Sequence, residues 1–290
     1  AAGAAVAEAA DGGLLDQILT QSKIARSDTE RTRARDLIAE LVSQVSDGAM
    51  VVSKDAIGAL DARIAEIDRV LSEQLSSVMH APEFQQLEGS WRGLKYLVDN
   101  SETSTNLKIK VFNTTKKELV KDFKSASDFD QSTLFKKLYE EEYGTFGGAP
   151  FATLIGDFEF GRHPEDMYLV EEISHVCAAA HAPFLSAAAP ELLGFDDFTE
   201  LSGPRDLAKI FDTVEYAKWK SFRASEDSRY VGLAMPHVLG RLPYGPDTDP
   251  VEAFNFVERT DGTDHNKYLW MNAAYALGTK VTDEFAKYGW

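Results

Sequence analysis

Two carboxylates and an imidazole stand where an α/β enzyme would keep reactive groups. Asp157 and Glu159 follow the apolar run 151–155, and His237 follows the run 230–235. In an open α/β sheet, ligands bind outside the carboxyl ends of the strands, so such residues can serve there as an acid and base. Nothing in their spacing makes them meet. Taken singly, Asp157 reads as a turn cap and His237 as a loop residue behind Pro236.

His175, Cys177 and His181 crowd one expected helix and raise the question of a metal. Cys177 shares the apolar stripe of Met167, Val170 and Ile173, whereas His175 falls about 200° round the helix from it. The three cannot converge, and Cys177 is expected as a small buried hydrophobe. The glycine-rich stretch 144–148 lacks the following Lys-Ser/Thr and the preceding strand of a phosphate loop, so it reads as a turn. Neither a Gly-x-Ser-x-Gly elbow nor a His-Glu-x-x-His helix occurs. The sequence therefore implies no cofactor and no catalytic set.

Composition narrows the partners. The 290 residues carry a net charge of -17, from 47 acids against 30 bases, which repels a polyanion over most of the surface. Nucleic acid is not an expected partner. A single cysteine excludes an internal disulfide. The alanine-rich start has no basic flank or leucine-rich core of a secretion signal. The apolar stretch 176–195 is broken by His181, Pro183, Ser186, Pro190 and Glu191. The expectation is a cytoplasmic protein without membrane insertion.

The elements that would position these residues fall into three parts. Residues 1–26 form an Ala/Gly-rich tail or linker with one apolar cluster, Leu14, Leu15, Ile18 and Leu19, suited to a partner. Residues 27–80 form a helical arm. Its first helix repeats Ala34, Leu37, Ile38, Leu41, Val42 and Val45 and stops at Asp47-Gly48; its second starts near Ser53. That second helix holds Ile57, Ile64, Leu71 and Val78 at seven-residue spacing, with Leu60 and Ile67 between them, a seam that must pack on something. Both its own chain and a partner are open to it.

Residues 81–290 read as the α/β domain. Leu107–Phe112 alternates as a strand with one wet face, and Asn113 or Thr114 would cap the helix after it. A helix is expected over 130–143. Short apolar strands at 151–155, 183–189 and 230–235 then alternate with helices at 164–182, 204–224 and 266–288. This alternation implies an α/β fold: a mostly parallel sheet with helices on both faces, preceded by the helical arm. Trp91 and Tyr96, and the group Tyr268, Trp270, Tyr275, Tyr288 and Trp290, read first as core.

A run of ordered motifs resembles the large sheath subunit of type VI secretion, the TssC/VipB family. They are Phe84 to Leu97 (FQQLEGSWRGLKYL), Gln131 to Phe135, Glu142 to Gly148 (EYGTFGG), Ile155 to Phe160 (IGDFEF) and Ala180 to Phe184 (AHAPF). Arg229 to Leu233, Arg241 to Tyr244 (RLPY), Tyr268 to Trp270 and Phe285 to Trp290 (FAKYGW) complete the series. The sequence departs from the family pattern at Pro236-His237, where Pro-Arg is common, and loses a fixed cation there.

The resemblance implies a structural protein rather than an enzyme. It would assemble with the small sheath subunit (TssB/VipA) and neighbouring sheath subunits around the inner tube protein Hcp. Contraction would drive effector delivery from a membrane-anchored apparatus, and the AAA+ ATPase ClpV would recycle the contracted sheath. Because family members continue well past this length, the chain is expected to be the N-terminal portion, without the C-terminal half. The residues expected at interfaces are Leu14, Leu15, Ile18, Leu19, Ile57, Leu60, Ile64, Ile67, Leu71 and Val78. The alternative is an α/β enzyme or small-ligand-binding domain using the strand ends near Asp157 and His237.

Overall fold

The computed structural model describes residues 32, 33, 35–37, 39, 40, 43 and 56–289, excepting the side chains of Ala56, Ile57 and Ala59. The cluster Leu14, Leu15, Ile18 and Leu19, the side chain of Ile57, and Trp290 lie outside them. The chain divides into two units, residues 1–71 and 72–290. In the first, the described residues between 32 and 43 are helical, and helix α1, Ala56–Met79, begins. The last turns of α1 belong to the second unit.

The second unit is built on a three-stranded parallel sheet: β1 (Leu154–Phe160), β2 (Phe184–Ala188) and β3 (Val231–Ala234), in spatial order β1-β2-β3. Helix α2 spans Pro82–Asp99 and α3 spans Lys116–Ser125. Next comes α4, an α-helical turn Thr133–Phe135 that widens into a π-helix over Lys136–Tyr143. Helix α5, Pro164–Ala180, forms the crossover from β1 to β2, with Pro164 in its first turn and Glu165 and Asp166 at its positive end. Helix α6, Ala217–Ala224, lies in the crossover to β3, and α7, Ala273–Tyr288, follows the short antiparallel pair β4 (Val238–Leu239) and β5 (Trp270–Met271).

The sheet is covered on both faces, as the run of apolar strands predicts. One face carries α5, whose Leu169, Val170, Ile173, Val176 and Cys177 are fully buried with Phe160 and Phe184. The other face carries α7, with α2 packed on α7 and β5. Gly89 and Gly93 make that approach close: a Cβ on Gly89 would lie 2.6 Å from the Trp270 carbonyl oxygen, and one on Gly93 would lie 2.3 Å from the Tyr275 ring. Between Ile155 and Glu159 the β1-β2 register slips, and the buried Ser186 hydroxyl donates to the carbonyls of Gly156 (2.9 Å) and Phe158 (2.7 Å) there.

Several sequence expectations need correction. Leu107–Phe112 forms no strand among the described residues. Its alternation supplies a strand's side chains, while a ladder needs a second backbone. The cap of α3 is Thr115, not Asn113 or Thr114: its Oγ1 accepts the Glu118 N–H at 3.2 Å, and its own N–H donates to Glu118 Oε2 at 2.8 Å. The expected helix 204–224 is broken into 3-10 turns at Leu207–Asp212 and Val214–Tyr216 before α6. Asp206 Oδ1 takes the Ala208 N–H at 3.0 Å, and Thr213 is extended. Likewise the last helix starts at Ala273 rather than near Asn266, because Asn272 Oδ1 accepts the Ala274 N–H at 2.8 Å and fixes the N-terminus there. Strand β1 runs on to Phe160, so Asp157 and Glu159 lie within it rather than beyond its end.

Candidate assembly surfaces

Among the described residues, the heptad seam of α1 from Leu60 to Val78 is exposed. Ile64 is 56% and Val78 57% exposed, and Leu60, Ile67 and Leu71 are exposed as well. A different face of the helix, carrying Ser72, Ser76 and Met79, is buried. Ser72 Oγ accepts the Val257 N–H at 3.4 Å, Ser76 Oγ accepts the Arg259 N–H at 3.2 Å, and Arg259 pairs with Glu73 at 2.7 Å. The last turns of α1 are thus held through Met79 and two serines, while Leu71, Leu75 and Val78 stay exposed.

Helix α2 repeats this division of labour. Its glycines face inward, and the opposite side shows Phe84, Leu87 and Trp91 at steps of three and four residues, with Val98 seven residues on. Trp91 is 65% exposed, against its expected place in the core, whereas Tyr275 is buried as expected. A groove between α2 and residues 103–111 continues the strip past Leu94 and Val98 to Leu107, Ile109 and Val111.

A charged network locks these helices to the segment 241–258. Arg241 donates from Nε to Glu88 (2.8 Å) and from its terminal nitrogens to Glu258 (2.5 Å and 3.1 Å). Its guanidinium lies 4.7 Å from the Tyr244 ring centroid. Arg92 donates from Nε to the same Glu88 oxygen, Oε1, at 2.7 Å, and to the Tyr244 hydroxyl, also at 2.7 Å. His80 Nε2 lies 3.1 Å from Glu258, which also accepts the Tyr244 N–H at 3.0 Å. Only 1% of the Glu258 side chain and 7% of Arg241 are exposed. Burial pushes the Glu258 carboxyl up, but the hydrogen bonds from Arg241 and Tyr244, with Arg241's charge, hold it below the ordinary carboxylate range. For Arg241, burial works to lower the pKa, and the bonds with Glu258 and Glu88 raise it instead.

The residues considered for chemistry are dispersed into structural contacts. Asp157 sits with Ser90 and Tyr275 between β1 and the helices α2 and α7; desolvation raises its carboxyl pKa against those hydrogen bonds. His237 meets Glu159 instead, with Nε2 2.7 Å from Oε1, and stacks edge-on to Phe198 at 4.8 Å. His175 pairs with Asp227 at 2.8 Å, and His181 lies 3.2 Å from the Tyr230 hydroxyl. Cys177 is buried, and desolvation pushes its thiol up to about 12. Among the described residues no group of three His, Cys, Asp or Glu is placed to hold a metal ion, and no helix is long and apolar enough to cross a membrane.

Residues 61–290 match the family model of the EvpB/VC_A0108 (VipB) tail sheath N-terminal domain. The chain belongs to this sheath family. It is 50% identical, over 264 residues, to the type VI secretion system sheath protein TssC1 of Pseudomonas aeruginosa, an alignment covering 89% of this chain. The chain spans about half the length of that relative, 53%. The TssC/VipB resemblance read from the motifs is therefore shown. In this sheath protein the motif 241–244 supplies Arg241 and Tyr244, the centre of the charged network, and the motif 84–97 supplies Glu88, Arg92 and both close-packed glycines. At the Pro236-His237 departure, the imidazole contacts Glu159 in a bond that carries charge only when His237 is protonated.

Proposed function

We propose that this chain acts as a structural part of the large sheath subunit of type VI secretion. It would pair with the small sheath subunit (TssB/VipA), stack with neighbouring sheath subunits around the inner tube protein Hcp, and contract to drive effector delivery. ClpV would recycle the contracted sheath, and the assembly would sit in the cytoplasm on a membrane-anchored apparatus. Family membership carries the sheath assignment. The exposed seam of α1 carries the mode of work, surfaces presented to other subunits in place of a reactive pocket.

Magnitudes say what the seam can supply. A fully buried aliphatic side chain contributes about 1.5 to 3 kcal/mol, and Leu60, Ile64, Ile67, Leu71 and Val78 are already about half covered. Covering the rest is worth roughly 1 kcal/mol each, or on the order of 5 kcal/mol together. That only begins to offset the roughly 4 to 15 kcal/mol of freedom lost on association, so the seam needs added surface such as the Phe84, Leu87 and Trp91 strip.

The test is co-expression of this chain with the small sheath subunit, followed by affinity capture and size-exclusion chromatography. A stable complex is expected, and Ile64→Asp and Leu71→Asp each weaken it at least tenfold while leaving the thermal midpoint of the free chain within about 2 °C, since both sites are exposed. Undiminished capture by both variants would remove the seam from the interface.

A further inference from the structure

The two edges of the parallel sheet are finished differently. At the β1 edge, Lys116 Nζ donates to the outward carbonyl of Glu159 at 2.7 Å, and the same ammonium pairs with Asp166. At the β3 edge nothing comparable occurs. Among the described residues strand β3 pairs only with β2, and no hydrogen bond reaches the outward backbone groups of residues 232–234. Its sequence, Val-Gly-Leu-Ala, carries none of the charges, prolines or bulges that usually protect a free edge.

A groove runs along this edge and shows what would fit. Val231, Gly232 and Leu233 all line it. Successive strand residues point to opposite faces, so three in a row can border one groove only if it follows the strand's edge. The far wall comes from α6 and the turn before it, with Phe211 and Trp219 stacked at 6.0 Å and with Lys220 and Arg223 exposed beside them. Lys220 is shared with Asp212 at 2.9 Å. Arg223 makes no ion pair among the described residues; the one hydrogen bond from its guanidinium is a long one, 3.4 Å, to the Ser228 carbonyl. In a chain of net charge -17, an open edge beside an aromatic pair and an unneutralised guanidinium is a local inversion of the surface.

We propose that the β3 edge accepts a β-strand from a separate polypeptide, one carrying an apolar residue and a carboxylate two positions apart on the side facing α6. Backbone groups of residues 232–234 would extend the ladder, the apolar side chain would lie on Phe211 and Trp219, and the carboxylate would meet Arg223 and Lys220. A second copy of this chain is the wrong occupant. The β3 strand that a two-fold axis would bring alongside, Val-Gly-Leu-Ala, carries no carboxylate to meet Arg223.

The probe is a short blocked peptide of threonine and valine containing leucine and glutamate two residues apart, titrated into the isotopically labelled full chain. Expected are saturable shifts of the amide resonances of residues 231–234 and at least tenfold slower hydrogen exchange at residues 232–234. Arg223→Glu, at an exposed site, weakens binding about tenfold, and a peptide with lysine in place of glutamate restores it in that variant. The proposal is overturned if no shift appears at residues 231–234, if the lysine peptide binds the unaltered chain as well as the glutamate peptide, or if the chain alone dimerises through β3. None of these results touches the pairing of α1 with the small sheath subunit, so the two readings fail separately.

Discussion

Replacing Arg241 by methionine keeps most of the side-chain volume and removes one cation from the network joining His80, Glu88, Glu258 and Tyr244. Glu88 keeps Arg92, but Glu258, 1% exposed, is left with His80 and one backbone N–H. Breaking a buried pair from one side costs about 3 to 5 kcal/mol, because the remaining charge is neither solvated nor paired. With a urea m-value on the order of 3 kcal/mol/M for a unit of this size, the unfolding midpoint falls by about 1 to 1.7 M. Adding Glu258→Gln to Arg241→Met removes the stranded charge yet keeps an acceptor for the Tyr244 N–H, and should recover at least half of the loss. The pH dependence has a definite sign. Glu258's carboxyl is held below its unfolded value, near 4.3, so its stabilisation is present above that pH and is lost as pH falls through the lower folded value. Without Arg241 the carboxyl protonates more readily, and the gap between parent and variant should narrow from pH 7 to pH 4. A midpoint shift below about 0.3 M, or a double variant no more stable than Arg241→Met alone, would refute the idea that a stranded carboxylate sets the cost.

Gly93→Ala should destabilise by about 1 to 3 kcal/mol despite alanine's better helix propensity, since its methyl would lie 2.3 Å from the Tyr275 ring; an unchanged thermal midpoint would mean that α2 and α7 separate freely. Ser186→Ala removes the donor shared by the Gly156 and Phe158 carbonyls at the register slip, a loss of about 1 to 3 kcal/mol measurable in urea. Cys177, buried and with its thiol pushed up to about 12, should react with thiol reagents only as fast as the chain opens, and rapid labelling of the native state would contradict that.

What the sequence disclosed and what it withheld divide along a physical line. Signals local to a few residues were legible: the strands near 184–188 and 231–234, Pro164 opening α5, Cys177 on the buried stripe, and the heptad spacing of α1. Helix ends were misplaced where side-chain caps at Asp206 and Asn272 outcompeted continuation of the pattern. Leu107–Phe112 has the side chains of a strand, but whether a backbone lies beside it is not a local property. The strip Phe84, Leu87 and Trp91 had a readable spacing, opposite a Gly-x-x-x-Gly face that identifies the buried side, and reading Trp91 as core missed it. The charged network was not readable at all, since it joins His80, Glu88 and Arg92 to residues from 241 onward through contacts that no periodicity encodes.

The order in which the two sheet faces acquire their cover has a consequence for synthesis. All of β1, β2 and β3, and the α5 and α6 side, have emerged once residue 234 leaves the ribosome, but the α7 side waits for residues 273–288. In that interval Ile155 lacks Gly278 and Asp157 lacks Tyr275, and α2 has its glycine face without the helix that fills it. Helix α7 is therefore a latch: a nascent chain stalled before it presents a half-clad sheet, the state most exposed to chaperones and to mispairing with other chains.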